Sequence, residues 1–186
     1  MWLNEPAEWK AEGDSGLTLV TDKATDFWRT TFYGFVRDSG HAFLHPVSGD
    51  FSAVATVTAD YAALYDQAGL MLRIDEHYWI KAGIEFTDGL MHFSTVVTNR
   101  VSDWSVIPLH EATPETPVTI RITRHDDAAR VQFHLGDGHF QMARLCPFPP
   151  DDAHVGMTAC TPEREGLRVR FADFTVGPPI PRALHD

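Results

Sequence analysis

Cysteine is scarce in this chain. Cys146 and Cys160 are the only two in 186 residues, and no CxxC occurs. That leaves neither a thiolate cluster for a metal nor a redox pair. The expectation is two buried, reduced thiols in a cytoplasmic protein, because disulfides belong to oxidising compartments. Long apolar runs are missing as well. No stretch approaches the roughly 20 residues that a membrane-spanning helix needs. The opening MWLNEPAEWK has no basic end followed by an apolar run, so no secretory signal is expected. Positive charge is also short: 15 Lys and Arg stand against 26 Asp and Glu, a formal net charge of −11. Such a surface repels phosphate backbones and anionic lipid, so nucleic acid and membrane surfaces are not expected partners. The acidity is dispersed, with no single-sign tail. Neither GxGxxG nor GxSxG occurs, which removes the dinucleotide fingerprint and the nucleophile elbow. His41 and His45 lie four apart but lack the Glu of a zinc helix. No metal and no cofactor is expected.

What the chain does have is short β-rich runs between turn signals. GLTLVT, FWRTTFYGFV, FSAVATVTA, VTIRITRH, ARVQFHLG, AHVGMTACT and LRVRFADFTV are rich in Val, Thr, Phe and Ile, and most alternate. Ser48-Gly49-Asp50, Asp88-Gly89, Asp126-Asp127 and Asp137-Gly138 punctuate them. Helical periodicity is nowhere convincing. The pattern indicates an all-β antiparallel sandwich or barrel. A length of 186 residues suits one domain. We place that domain at 1–176, with GPPIPRALHD at 177–186 as a C-terminal tail that has little to bury.

The stretch QAGLMLRIDEHYWIKAGIEFTDGLMHFSTVVT, Gln67 to Thr98, separates into two faces when read in steps of two. One is apolar. The other carries Gln67, Gly69, Met71 and Arg73, then Trp79, Lys81, Gly83 and Glu85, then His92, Ser94, Val96 and Thr98. Asp88-Gly89 is a two-residue hairpin signal that pairs Glu85 with His92 and Gly83 with Ser94. Keeping both apolar sides inward then pairs Gln67 with Glu85, Gly69 with Gly83, Met71 with Lys81 and Arg73 with Trp79. Successive rows lie about 6.7 Å apart. The Gly69–Gly83–Ser94 row has almost no side-chain volume. Glycine inside a strand is unfavourable unless something approaches the backbone closely. The expectation is a ligand trough about one sugar ring wide, floored by main chain and bordered by Gln67, Glu85 and His92 on one side and Lys81, Trp79 and Arg73 on the other.

YDQAGLMLRIDEHYWIKAGIEF, with VVTNRVSDWS after it and TDFWRTTFYGF and DSGHAF before it, resembles a bacterial and fungal domain-of-unknown-function family. That family includes the fungal regulation-of-enolase protein and is assigned to the concanavalin A-like lectin/glucanase superfamily. The resemblance spans about Leu17 to Val176. It implies a jelly-roll sandwich of two curved antiparallel sheets, and it carries no settled activity. Sugar-binding members of the superfamily commonly use the concave sheet. On that basis Gln67, Arg73, Trp79, Lys81, Glu85, His92 and Ser94 form the binding face, and Arg121 of VTIRITR joins it from another strand. Asp26, Trp28, Arg29, Tyr33, His41, Tyr65, Asp103 and Trp104 are candidate rim residues.

For chemistry, Glu85, Lys81 and His92 are the candidate catalytic residues. A retaining glycosidase needs two carboxylates about 5 Å apart, and the strand Trp79–Lys81–Gly83–Glu85 offers one. Asp26 or Asp103 would have to supply the second. YWIKAG is similar to a strand motif of jelly-roll polyuronate lyases, but its extra residue turns Tyr78 to the core side. The reading these residues favour is a lectin-like, non-catalytic module that binds a carbohydrate or a small polar ligand. The alternatives are a polysaccharide lyase or glycoside hydrolase, or a regulatory domain with a protein partner.

Overall fold

The computed structural model describes residues 1–184, so His185 and Asp186 of the expected tail lie outside the described residues. The chain forms β1 (Trp2–Leu3), β2 (Glu8–Glu12), β3 (Gly16–Val20), β4 (Phe27–Arg29), β5 (Val36–Asp38), β6 (His41–Val47), β7 (Phe51–Ala59) and β8 (Asp66–Arg73). Then follow β9 (Tyr78–Thr87), β10 (Leu90–Asn99), β11 (Val101–Pro108), β12 (Val118–His125), β13 (Ala128–Leu135), β14 (Gln141–Pro147), β15 (Ala153–Cys160) and β16 (Arg168–Gly177). Among the described residues there is no helix.

Two seven-stranded antiparallel sheets make a sandwich. The first runs β1-β6-β15-β8-β9-β10-β11, and the second β14-β13-β12-β7-β16-β3-β2. The alternating runs explain the layering. Leu70, Leu72, Ile80, Ala82, Ile84 and Phe93 of the first sheet face Ala55, Val57, Ile120, Ile122, Val131 and Phe133 of the second. Phe93 and Phe133 stack across the interface with ring centroids 4.0 Å apart. Tail residues cross the second sheet: Ile180 N–H donates to Ser52 Oγ at 3.0 Å and Arg130 donates to the Ala183 carbonyl at 2.6 Å.

The register of the central meander is the one that the turn and parity imply. Gln67 pairs with Glu85, Gly69 with Gly83, Met71 with Lys81 and Arg73 with Trp79. Glu85 pairs with His92 and Gly83 with Ser94. What parity does not reveal is that both faces of this sheet are covered. Every residue of β8 is buried.

The cover is a third, two-stranded sheet of β4 and β5. FWRTTFYGFV is therefore a hairpin rather than one strand. Thr30 (φ 65), Phe32 (φ 63) and Gly34 (φ 74) adopt left-handed backbone, and Thr30 N–H donates to the Phe35 carbonyl at 2.7 Å to close the turn. Three ties hold the hairpin down. Phe27 inserts into a second apolar cluster with Ala42, Leu44, Met71, Trp79 and Val96. Asp38 receives a bidentate pair from Arg73 at 2.8 and 2.9 Å. Arg29 N–H donates to Ser102 Oγ at 2.9 Å.

The glycine row also differs from the expected trough. A Cβ on Gly69 would lie 2.1 Å from the Ala82 carbonyl oxygen and 2.6 Å from the Gly83 Cα, and one on Gly83 would meet the Ala68 oxygen at 2.2 Å. The close approach that requires glycine is made by the neighbouring strand itself. Gly69→Ala should therefore destabilise the fold by about 1–3 kcal/mol, the range for overpacking, while Gly177→Ala, with nothing within 4 Å of its Cβ, should stay within about 0.5 kcal/mol. Urea unfolding of both variants checks this, and equal midpoints would contradict the packing argument.

Candidate functional site

Lys81 stands on β9 with its side chain on the face away from the main core. Parity puts it there, and the hairpin then closes over it, leaving 8% of the residue exposed. A buried ammonium needs partners for each proton. Its Nζ donates to Gln67 Oε1 at 2.5 Å and to the Phe27 carbonyl at 3.3 Å, and Asp26 Oδ1 lies 3.5 Å away. Cys160 Sγ is 3.9 Å from the same nitrogen. Asp26, Phe27, Gln67, Lys81 and Cys160 come from four strands and a loop, so this cluster forms only in the folded chain.

Burial is the largest influence on Lys81 and acts to lower its pKa, but Cys160, Asp26 and Glu85 together outweigh it and leave the value raised above 10.5. The Cys160 thiol is itself pushed up to about 12 by burial. It is thus neutral near pH 7, and the lasting counterions of Lys81 are carboxylates. Glu85, 3% exposed, has its pKa raised by burial first, against the opposing pull of Lys81 and of contacts with Ser94 and Trp104. Trp104 Nε1–H donates to Ser94 Oγ at 3.0 Å.

Above this floor lies a cavity of about 230 Å³. Gln67, Lys81 and Glu85 meet it from below, together with Asp26 and Val96. Trp28, Tyr33 and Phe35 of the hairpin form one wall, and Tyr65 and Trp104 another. Pro162 and Glu163, from the loop after β15, complete the rim. That loop is held by Arg164, whose Nε and Nη2 both engage the fully buried Asp66 carboxylate. Asp66 also accepts the Ala62 and Ala63 N–H groups at 2.9 Å each. The Tyr65 hydroxyl is pushed up to about 12, chiefly by its hydrogen bond with Tyr33.

Of the predicted binding face, Gln67, Lys81 and Glu85 line this cavity, as do Asp26, Trp28, Tyr33, Tyr65 and Trp104 from the predicted rim. The others lie elsewhere. Trp79 is 1% exposed, packed against Phe27 beneath the hairpin with a centroid distance of 6.1 Å, so it presents no ring to a ligand. Arg73 is spent on Asp38 under the same hairpin. Arg121 belongs to β12 of the other sheet, where it donates twice to Gln132 Oε1 and stacks over Phe140 at 3.8 Å. Its neighbours Ile120 and Ile122 fill the core, so parity turns Arg121 to the far outer surface. His41 is 2% exposed and structural: its Nε2 accepts from the Asp22 N–H at 3.0 Å, and its Nδ1 lies 2.6 Å from the Asn4 carbonyl.

Arg29 ties the hairpin to β11, with its Nε 3.4 Å from the Arg100 carbonyl. Asp103 bridges to Arg144 of β14 at 2.8 Å and joins the edges of the two sheets. His92 faces Glu85 in register, but its Nδ1 lies 3.1 Å from the Leu90 carbonyl, outside the cavity lining. Ser94 sits below the lining, holding Trp104. Phe35, Val96, Pro162 and Glu163 are the lining residues that sequence reading did not single out as site residues, though Val96 lay on the same sheet face as Glu85 and Lys81. Phe35 stood inside the quoted FWRTTFYGF motif. Pro162 and Glu163 are brought in by the Asp66–Arg164 pair, which joins residues 98 apart and leaves no local signal.

Asp75, Glu76 and His77 bring three ligating atoms within 4.8 Å of one another in the turn between β8 and β9. Asp75 is already engaged there, accepting the His77 and Tyr78 N–H groups.

A family model described as "Protein of unknown function (DUF1349)" matches residues 2–179. The chain is 44% identical over 186 residues to the Saccharomyces cerevisiae protein named Regulation of enolase protein 1, covering 100% of this chain and 92% of that one. It superposes with a TM-score of 0.92, at 42% identity and 97% coverage of both chains, on the crystal structure of a functionally unknown protein from the same yeast. At 10% identity, where likeness speaks only of the fold, it matches the CBM2 module of an evolved Dit from Lactobacillus casei BL23 phage J-1. There the TM-score is 0.57, with 92% of this chain and 79% of that one covered.

Lys81→Met would leave Glu85 and Asp26 without their cation. Removing one partner of a buried pair costs about 3–5 kcal/mol. The deficit should also depend on pH. A carboxyl whose folded-state value lies above its ordinary 4.5 holds its proton more firmly when folded. The stability it contributes is therefore fully present below 4.5 and lost as pH rises through the folded value. Without Lys81 the Glu85 value moves further up. Urea unfolding should show a larger Lys81→Met deficit at pH 8 than at pH 5, and the slope should flatten in Lys81→Met/Glu85→Gln. A deficit independent of pH would contradict this.

Proposed function

The chain belongs to the DUF1349 family, and from that premise we propose that it is a lectin-like module binding a carbohydrate or another small polar molecule in the cavity over β8, β9 and β10. The observation that carries this reading is the pairing of aromatic walls with a polar, charge-compensated floor. Binding sites of this kind are concave, mostly apolar, and carry a few fixed polar groups. Trp28, Tyr33 and Trp104 supply ring faces and edges for the apolar side of a sugar. Gln67 and Glu85 offer hydrogen bonds to hydroxyls. Lys81 holds Gln67 in one orientation, so the polar groups are set before a ligand arrives. The fold likeness to a module named for carbohydrate binding supports the same reading.

A specific observation favours a second reading. Asp26 and Glu85 flank one ammonium, and burial lifts the Glu85 pKa. Two carboxyl groups in unlike surroundings are what acid–base cleavage of a glycoside uses. A lyase fits less well. Tyr78 accepts from Arg100 Nε at 3.1 Å, outside the cavity lining, and Tyr65 at about 12 is a poor base near neutrality.

A glycan panel followed by calorimetry separates the two readings. Under the binding reading, Glu85→Gln weakens affinity several-fold, as loss of one charged hydrogen-bond partner does, and no product forms. Turnover by the native chain that disappears in Glu85→Gln would move the assignment to a glycosidase. A panel with no binding and no turnover would overturn both.

A further inference from the structure

Resting on the reading of this cavity as a binding site, we infer that its ligand carries an ammonium group: the cavity is an aromatic box with excess negative charge. Among the described residues that line it, three carry carboxyl groups, Asp26, Glu85 and Glu163, against one base, Lys81. Lys81 offsets only one of the three, its ammonium being engaged by Asp26, Gln67 and the Phe27 carbonyl. The exposed Glu163 at the rim remains for a guest, while Glu85 at the floor, held by Lys81, Ser94 and Trp104, adds its carboxyl beneath.

The walls point the same way. A flat sugar face stacks on one ring plane. Here the rings are crossed: Trp28 and Tyr33 meet at 73° with centroids 5.8 Å apart, while Tyr33 and Phe35 lie nearly parallel at 15°. Trp104 and Tyr65 also line the cavity, and Tyr65 is hydrogen-bonded to Tyr33. A cavity of this size lined by five aromatic side chains, each with an electron-rich face, suits a compact cation. The hairpin already receives a cation in this way, with the Arg37 guanidinium 4.6 Å from the centre of the Phe35 ring. The net charge of −11 draws small cations toward the molecule and repels anions.

Two kinds of molecule bring this chemistry, a methylated amine and an amino sugar, and paired probes distinguish them. Choline is compared with 3,3-dimethyl-1-butanol, which has its shape with carbon in place of the charged nitrogen. Glucosamine is compared with glucose. Binding to the intact protein is read by calorimetry and by the fluorescence of Trp28 and Trp104. At least one charged probe should bind roughly tenfold more tightly than its neutral twin, the gain a desolvated cation–π contact gives. The gap should shrink several-fold in Glu163→Gln, a surface change that leaves the fold intact by circular dichroism, and in 1 M salt. Neutral twins that bind as well as the charged ones would overturn the inference while leaving a sugar site standing. Silence from all four probes, with hits among neutral glycans on the panel above, would do the same. Silence from the probes and from the whole panel would remove the binding site as well.

Discussion

A positive charge buried on the outer face of a sheet is the constraint from which the site follows. Lys81 sits mid-strand on β9, where an uncovered face would let its ammonium reach water. The hairpin denies it that route, so the ion must be satisfied in place. Gln67 from the adjacent strand, a backbone carbonyl from Phe27 and the Asp26 carboxylate do so. Desolvating an ammonium costs several kcal/mol and is recovered only when geometry and hydrogen bonds are complete. The cluster therefore selects one placement of the hairpin above the sheet, and the cavity is the space left beside that placement.

The hairpin does two things at once. Its root, Phe27, builds a small apolar core on the far side of the sheet from the main one, with Trp79 and Met71 beneath it. Gly40 makes room for this, since a Cβ there would lie 2.2 Å from the Phe27 ring. Its tip remains in solvent, with Phe32 94% exposed and Tyr33 48% exposed. A rigid root and an open tip place aromatic rings at the cavity mouth without surrendering the polar floor to water.

Much of the fold was legible because strand parity and turn chemistry are local. Asp88-Gly89 sets the β9–β10 register, and the apolar alternation of β8 sets the rest. The site was legible only in part. Gln67, Lys81 and Glu85 could be read as neighbours from the register alone. Trp79 could not be read as buried, because nothing within β9 says that residues fifty positions earlier fold over it. The glycine pair misled for a related reason: sequence shows that something must approach the backbone, and here it is the partner strand rather than a guest. Arg121 followed the correct parity but lies on the opposite sheet, a matter of topology that alternation does not encode. Glu163 depended on the Asp66–Arg164 pair, whose two ends carry no mutual signal.

The anchoring of the rim loop by Arg164 to the buried Asp66 has a temporal side. Chains emerge from the ribosome at about 5–20 residues per second, so β8 waits several seconds for β15 and the rim loop that follows it. During that interval the Asp66 carboxylate lacks its arginine, and β15, which lies between β6 and β8 in the finished sheet, is not yet made. The nascent chain must hold an open strand edge on β8, and the rim of the cavity is completed only after β15 has emerged.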